Sequence, residues 1–173
     1  SIMIHPYNDE RIIAGQGTAA LELLEEYPKL EMVMTPIGGG GLMSGTCIAA
    51  KGINSKITVV GAEPKGADDA YQSLNKGEIV PQTDPQTIAD GLLTSLGVKT
   101  FPIIKEHVQE IITVSEKNIV KAMKLVWDEL NIVIEPSSAV VLGALFEDPY
   151  TMKGKKVGMI LSGGNADLEN FPW

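Results

Sequence analysis

Cysteine occurs once in the 173 residues, at Cys47. No internal disulfide can form, and a reducing compartment is the expected setting. Basic residues are outnumbered, 14 against 22 acidic ones, for a net charge of −8. A chain of that sign repels nucleic-acid phosphates and anionic headgroups, so neither nucleic acid nor a membrane surface is an expected partner. Lys153, Lys155 and Lys156 form a short basic stretch, which reads as a solvated turn before a strand. No apolar run reaches the roughly 18 to 20 residues of a membrane span, and no secretory signal pattern opens the chain. The expected location is the cytoplasm. An initiator methionine is also missing, since the sequence begins at Ser1; a processed terminus and a fragment are both compatible with that.

What is present is an ordinary globular composition, 44% apolar with a mean hydropathy of +0.09. That is enough apolar surface to offset the entropy of ordering one domain. Helix and strand patterns alternate. Ala19 to Leu24 read as an amphipathic helix ending near Tyr27-Pro28. Met32 to Ile37 and Ile57 to Ala62 read as buried strands, with a helix from Leu42 to Lys51 between them. Asp68 to Leu74 is a short helix, and Ile111 to Val114 a third strand. Ser115 is placed to cap a helix running to Leu130. Ser137 to Leu145 is a further helix, and Val157 to Leu161 a last strand. Continuous apolar strands separated by helices predict an α/β fold, a parallel sheet with helices on both faces. The stretch from Gly77 to Pro102, rich in Pro, Gly and Thr, reads as a long surface excursion. Trp127, with Leu125, Val126 and Leu130, reads as core.

Two glycine loops carry the chemistry. Gly38, Gly39, Gly40 and Gly41 stand where a strand hands over to a helix. Four residues without Cβ let successive N–H groups turn toward an anion, and the helix start adds partial positive charge. A bland turn has little reason to carry the entropic cost of four glycines. The loop also comes close to a dinucleotide fingerprint, although Gly39-Gly40-Gly41-Leu42-Met43-Ser44 ends in Ser44 rather than Gly or Ala. Glu63 would be that fingerprint's ribose-binding acid. The second loop, Ser162-Gly163-Gly164-Asn165, follows the last strand. In a parallel sheet both loops face one crevice. Ser162 suits either a hydrogen bond to a heteroaromatic nitrogen or a helix cap.

Together the motifs resemble those of the serine racemase and serine/threonine dehydratase family, pyridoxal-phosphate enzymes of the tryptophan-synthase-β fold type. The matching stretches are His5-Pro6, Ile13 to Thr18, Pro36 to Leu42, Ala62-Glu63-Pro64, Ala67-Asp68-Asp69, Ala89-Asp90-Gly91, Ile134-Glu135-Pro136 and Leu161 to Asn165. The resemblance implies that Gly38 to Gly41, with the Leu42 N–H, hold the phosphate of pyridoxal 5'-phosphate, and that Ser162 bonds the pyridine nitrogen. It places Gly91 beside the ring and Glu135 near the cofactor, though Glu135 also reads as a solvated acid at a helix start. It implies a divalent-cation site of Glu63, Asp69 and the Ala67 carbonyl, oxygen ligands that suit Mg²⁺, or Ca²⁺ or Mn²⁺. On the residues alone, Asp68 and Asp69 equally favour a helix N-terminus.

One departure stands out. The family's Schiff-base lysine, in a Ser-Phe-Lys-x-Arg-Gly-like motif, and its Ser-Gly-Asn-His-like substrate loop have no counterpart, and none of the thirteen lysines has such a context. The expectation is that residues 1–173 are the C-terminal part of the large cofactor-binding domain. The small domain and the lysine would lie in a missing N-terminal half. No catalytic residue is then expected here, and the chain alone should be inactive. The complete enzyme, a homodimer, would act on serine, threonine or hydroxyaspartate by β-elimination, racemisation or both. Two alternatives are an NAD-dependent oxidoreductase using the glycine loop and Glu63, and a non-catalytic subunit that keeps an old cofactor fold.

Overall fold

The apolar runs become the strands of one parallel sheet. The computed structural model describes residues 3–173, leaving Ser1 and Ile2 outside. Strands β1 (Met32–Pro36), β2 (Thr58–Pro64), β3 (Val108–Val114) and β4 (Val157–Met159) lie in the order β3-β2-β1-β4. Every neighbouring pair is parallel, with Met32 opposite both Thr58 and Val157. Successive strand residues point to opposite faces. Met32, Met34, Val60 and Ala62 join one apolar core, while Val33, Val59 and Ile57 join another. This two-sided burial explains the unbroken hydrophobic runs.

Helices cover both faces. The first core receives α5 (Glu116–Leu130) and α6 (Pro136–Glu147). The second receives α1 (Glu10–Glu26), α2 (Gly41–Ile53), α3 (Asp69–Lys76) and α4 (Thr100–His107). A single-turn helix, α7 (Pro149–Met152), precedes β4. Asp9 starts α1 by accepting the Arg11 N–H at 2.9 Å, as an N-cap should. Where α1 crosses α2 the backbones nearly touch. A Cβ on Gly45 would overlap the Gly17 nitrogen and the Ile13 carbonyl oxygen.

Four expectations need correction. The excursion from Gly77 is not confined to the surface: Ala89, Leu92, Leu96 and Gly97 are buried, and α4 begins at Thr100. Its many turn residues hid a segment that folds back onto the sheet's C-terminal edge. Ser115 occupies the N-cap of α5 without capping it; its hydroxyl donates to the Glu147 carboxylate, which also accepts the Ser115 N–H at 2.8 Å. Trp127 is surface, packing at a tilt with its ring centroid 5.6 Å from that of Phe171, and of its group only Val126 is buried. The last strand ends at Met159, two residues early, although the Ile160 N–H still reaches the Met34 carbonyl.

No helix among the described residues is long and apolar enough to cross a membrane. The chain moves outward from β1 to β2 to β3, then returns to lay β4 against the far side of β1. The winding reverses between β1 and β4, and ligands bind open α/β sheets at such a switch point, outside the carboxyl ends of the strands.

Candidate functional site

The loops after β1 and β4 meet at that switch point. A cavity of about 350 Å³ is lined by Gly38, Gly39, Gly40, Gly41, Leu42, Gly91 and Ser162, seven of the eight expected cofactor residues. Pro6, Tyr7, Gln16, Pro36, Leu92 and Thr94 complete the lining. Glu135 is outside it. Its carboxylate accepts the Asn165 N–H at 3.1 Å, its own N–H donates to the Gly163 carbonyl at 3.1 Å, and a Cβ on Gly163 would come within 2.8 Å of it. Glu135 therefore braces the Ser162-Gly163-Gly164-Asn165 loop from behind.

The glycines are there for shape. Gly40 takes the left-handed conformation, φ +87°, and a Cβ on it would sit 2.7 Å from the Ile104 side chain and 2.8 Å from the Thr100 hydroxyl. A Cβ on Gly39 would overlap the Tyr7 ring. Among the described residues, none of the N–H groups of Gly38, Gly39, Gly40, Gly41 and Leu42 donates to a protein acceptor. Buried backbone donors are nearly always paired, and Gly39, Gly40 and Gly41 are buried, with Gly38 and Leu42 partly so. A row of free donors at a helix start, inside a cavity, fits an anion such as a phosphate group.

Gly91 sits on a short 3₁₀ turn, Asp90–Leu92. Its N–H donates to the buried Ser137 hydroxyl at 2.9 Å, which ties the turn to the start of α6.

The expected cation ligands lie elsewhere, Glu63 near the end of β2 and Ala67 and Asp69 just beyond it. Glu63 is 1% exposed and Asp69 3%. The Glu63 carboxylate accepts the N–H groups of Ala70 and Tyr71. Burial, with some repulsion from Asp69 and Asp68, still pushes its carboxyl up to about 9. Burial likewise lifts Asp69 to about 6. Asp69 Oδ1 accepts from Gln82 at 3.1 Å, but Oδ2 is buried without a partner among the described residues. An orphaned carboxylate oxygen beside a second buried acid fits a divalent cation. No group of three His, Cys, Asp or Glu side chains gathers among the described residues, so the two carboxylates would need the Ala67 carbonyl, also buried, and water to complete a shell. Glu63 does not line the cavity, which denies a ribose there its acid.

Cys47 is fully buried and its thiol is pushed up to about 12 by that burial, so it packs rather than reacts. No lysine lines the cavity. Gln16 could have been singled out from its Gly-Gln-Gly setting. Leu92 and Thr94 gave no signal, because they reach the cavity only through the fold-back of the excursion.

Comparison with known proteins agrees with this fold. The chain is similar to the serine racemase of Dictyostelium discoideum, 55% identical over an alignment of 173 positions that covers 98% of this chain and 53% of that one. That enzyme's crystal structure superposes with a TM-score of 0.91, covering 95% of this chain and 53% of the other. Maize serine racemase superposes at 0.94 with 44% identity, over 98% of this chain and 53% of that one. The β-hydroxyaspartate dehydratase of Paracoccus denitrificans is 51% identical over 98% of this chain and 54% of the relative. The chain thus spans about half the length of the curated relatives it matches. Residues 1–163 match the family model described as pyridoxal-phosphate dependent enzyme, and with the donor-lined cavity at the switch point the chain belongs to that family.

Proposed function

We propose that this chain is the C-terminal part of the large, cofactor-holding domain of an enzyme that performs β-elimination, racemisation or both on a small hydroxy-amino acid. The observation that carries the reading is that the tetraglycine loop and Ser162 line one cavity. Its likeness to two serine racemases and a β-hydroxyaspartate dehydratase supports serine, threonine or hydroxyaspartate as the substrate class.

Pyridoxal phosphate, when bound, withdraws electrons from the Cα of an amino acid joined to it. The residues of this chain would bind and tune it. The free N–H groups from Gly38 to Leu42 would hold its phosphate, each charge-assisted bond contributing about 1.5 to 3 kcal/mol. Ser162 would meet the ring nitrogen with a neutral hydroxyl. Unlike a carboxylate, a hydroxyl leaves that nitrogen unprotonated, which moderates electron withdrawal and suits loss of a β-hydroxyl better than transamination. Gly91 would lie against the ring, with Glu135 acting one step removed through the Ser162 loop. Glu63, Asp69 and the Ala67 carbonyl would bind Mg²⁺, or Ca²⁺ or Mn²⁺, away from the chemistry.

The group that moves the Cα proton would come from the remainder of the enzyme, which we place in the cytoplasm as a homodimer. This chain alone should release no pyruvate from L-serine in the presence of cofactor. Joined to the other half it should bind pyridoxal phosphate, seen as a visible absorbance band, and release pyruvate or D-serine. A joined protein that carries no visible absorbance after incubation with millimolar cofactor and removal of the unbound excess refutes the proposal.

A further inference from the structure

The excursion that folds back from the sheet ends in a contact with the glycine loop. Thr100, the first residue of α4, is completely buried. Its hydroxyl lies 2.8 Å from the Gly39 carbonyl and 3.1 Å from the Gly97 carbonyl, and it accepts the Gly97 N–H at 2.9 Å. A hydroxyl has one proton to give, and the shorter contact is to Gly39. The Gly97 N–H also reaches that same carbonyl, at 3.3 Å. No other side chain holds a carbonyl of the Gly38 to Gly41 run among the described residues.

This contact sets the direction of a donor on the opposite side. The peptide linking Gly39 to Gly40 is trans, since there are no cis bonds among the described residues, and in a trans peptide the C=O and the N–H point opposite ways. With the Gly39 carbonyl turned to Thr100, the Gly40 N–H turns away from it. Gly40 lines the cavity, and its N–H has no protein partner among the described residues. The left-handed φ of Gly40 and the wall of Thr100 and Ile104 behind it leave that peptide little freedom to flip.

We infer that Thr100 is a positioning residue that, by holding the Gly39 carbonyl, aims the Gly40 N–H at the anion in the cavity. This rests on reading Gly38 to Leu42 as a phosphate cradle and assigns the residue that orients it. Thr100 itself does not line the cavity. A second anchor docks the same segment nearby: the Lys99 N–H donates to the Asn8 side chain at 2.8 Å, so loss of the hydroxyl should loosen one peptide rather than release the whole segment.

The test compares ligands with and without the phosphate. In the complete protein, Thr100→Val keeps the shape and removes the hydroxyl. Affinity for pyridoxal phosphate, and for inorganic phosphate competing with it, should fall about three- to tenfold, the worth of one hydrogen bond. Affinity for pyridoxal should not change, and Thr100→Ser should restore the phosphate preference. Equal weakening of pyridoxal and pyridoxal phosphate makes Thr100 merely structural and overturns the inference, as does an unchanged preference in Thr100→Val. If the valine variant does not fold, the wild type decides. On titration with inorganic phosphate the Gly40 amide must shift in the ¹⁵N spectrum, and phosphate binding that leaves it unmoved overturns the inference. A wild-type protein that binds pyridoxal as tightly as pyridoxal phosphate instead sinks the cradle reading beneath it.

Discussion

Replacing Gly40 by alanine should damage both the fold and the cofactor site. Two costs add. The left-handed backbone, φ +87°, costs an L-residue about 1 to 2 kcal/mol. The new methyl would also stand 2.7 Å from Ile104 Cδ1, 2.8 Å from Thr100 Oγ1 and 2.9 Å from Thr100 Cβ. All are buried atoms, and overpacking of that kind costs about 1 to 3 kcal/mol. The total, about 2 to 5 kcal/mol, is a large part of the roughly 5 to 15 kcal/mol that hold a domain together. Relief requires Thr100 to move, and with it the hold on the Gly39 carbonyl, so pyridoxal-phosphate affinity should fall more than tenfold. Gly15→Ala is the matched control. It lies within α1 with nothing within 4 Å of the new Cβ, and should stabilise by about 0.5 to 1 kcal/mol. Urea unfolding at constant slope and equilibrium dialysis of the cofactor measure both effects. A Gly40→Ala protein as stable as Gly15→Ala, with wild-type cofactor affinity, would falsify the account of the loop.

Gly45→Ala should cost about 3 kcal/mol or more by forcing α1 and α2 apart where Gly17 and Ile13 leave no room; a loss under 0.5 kcal/mol in urea unfolding contradicts the close crossing. Glu147→Gln should cost about 1 to 3 kcal/mol at pH 7. Despite partial burial, the Ser115 hydroxyl and N–H, Lys65 and Asn118 hold the Glu147 carboxyl down to about 2. Its stabilisation is therefore complete above the ordinary value of 4.5 and is lost as pH falls toward 2, so a gap from wild type that stays constant down to pH 2 would refute this. Glu63 and Asp69 work in the opposite sense. Raised to about 9 and about 6, they keep protons that the unfolded chain has released, so cation-free stability should fall as pH rises from about 4 to about 9. Mg²⁺ should recover stability at the alkaline end, and a melting temperature indifferent to Mg²⁺ at pH 9 would count against the cation site.

The sheet was legible because both of its faces are buried: Met32 to Ile37 and Ile57 to Ala62 are unbroken apolar runs, and only a helix-covered parallel sheet asks for those. The glycine loop was legible because four glycines in a row have few other uses. The region from Gly77 to Pro102 was not, because its structure comes from distant partners. The Gln86 N–H donates to the Gly66 carbonyl, Gln82 reaches Asp69, and Thr100 reaches Gly39. None of these is periodic, so no local pattern announces them. Ser115 misled for a related reason, since its hydroxyl found the Glu147 carboxylate across 32 positions of sequence instead of the neighbouring backbone. Glu135 was expected near the cofactor, and local sequence could not show that it lies behind the Ser162 loop.

Three of the long-range bonds share one destination. Thr100 fixes the Gly39 carbonyl, Ser137 fixes the Gly91 N–H, and Glu135 fixes the Asn165 N–H. Each ties one part of the cavity wall to a neighbouring helix end, and all three supports belong to this chain. Backbone donors aimed before the ligand arrives need not be ordered when it binds, and that is what makes an anion site tight without a lysine. The shape of the candidate cavity therefore rests on residues that do not line it. By the same logic, conservative changes at Thr100, Ser137 and Glu135 should shift cofactor affinity before they shift overall stability, whereas changes at Gly40 must shift both together.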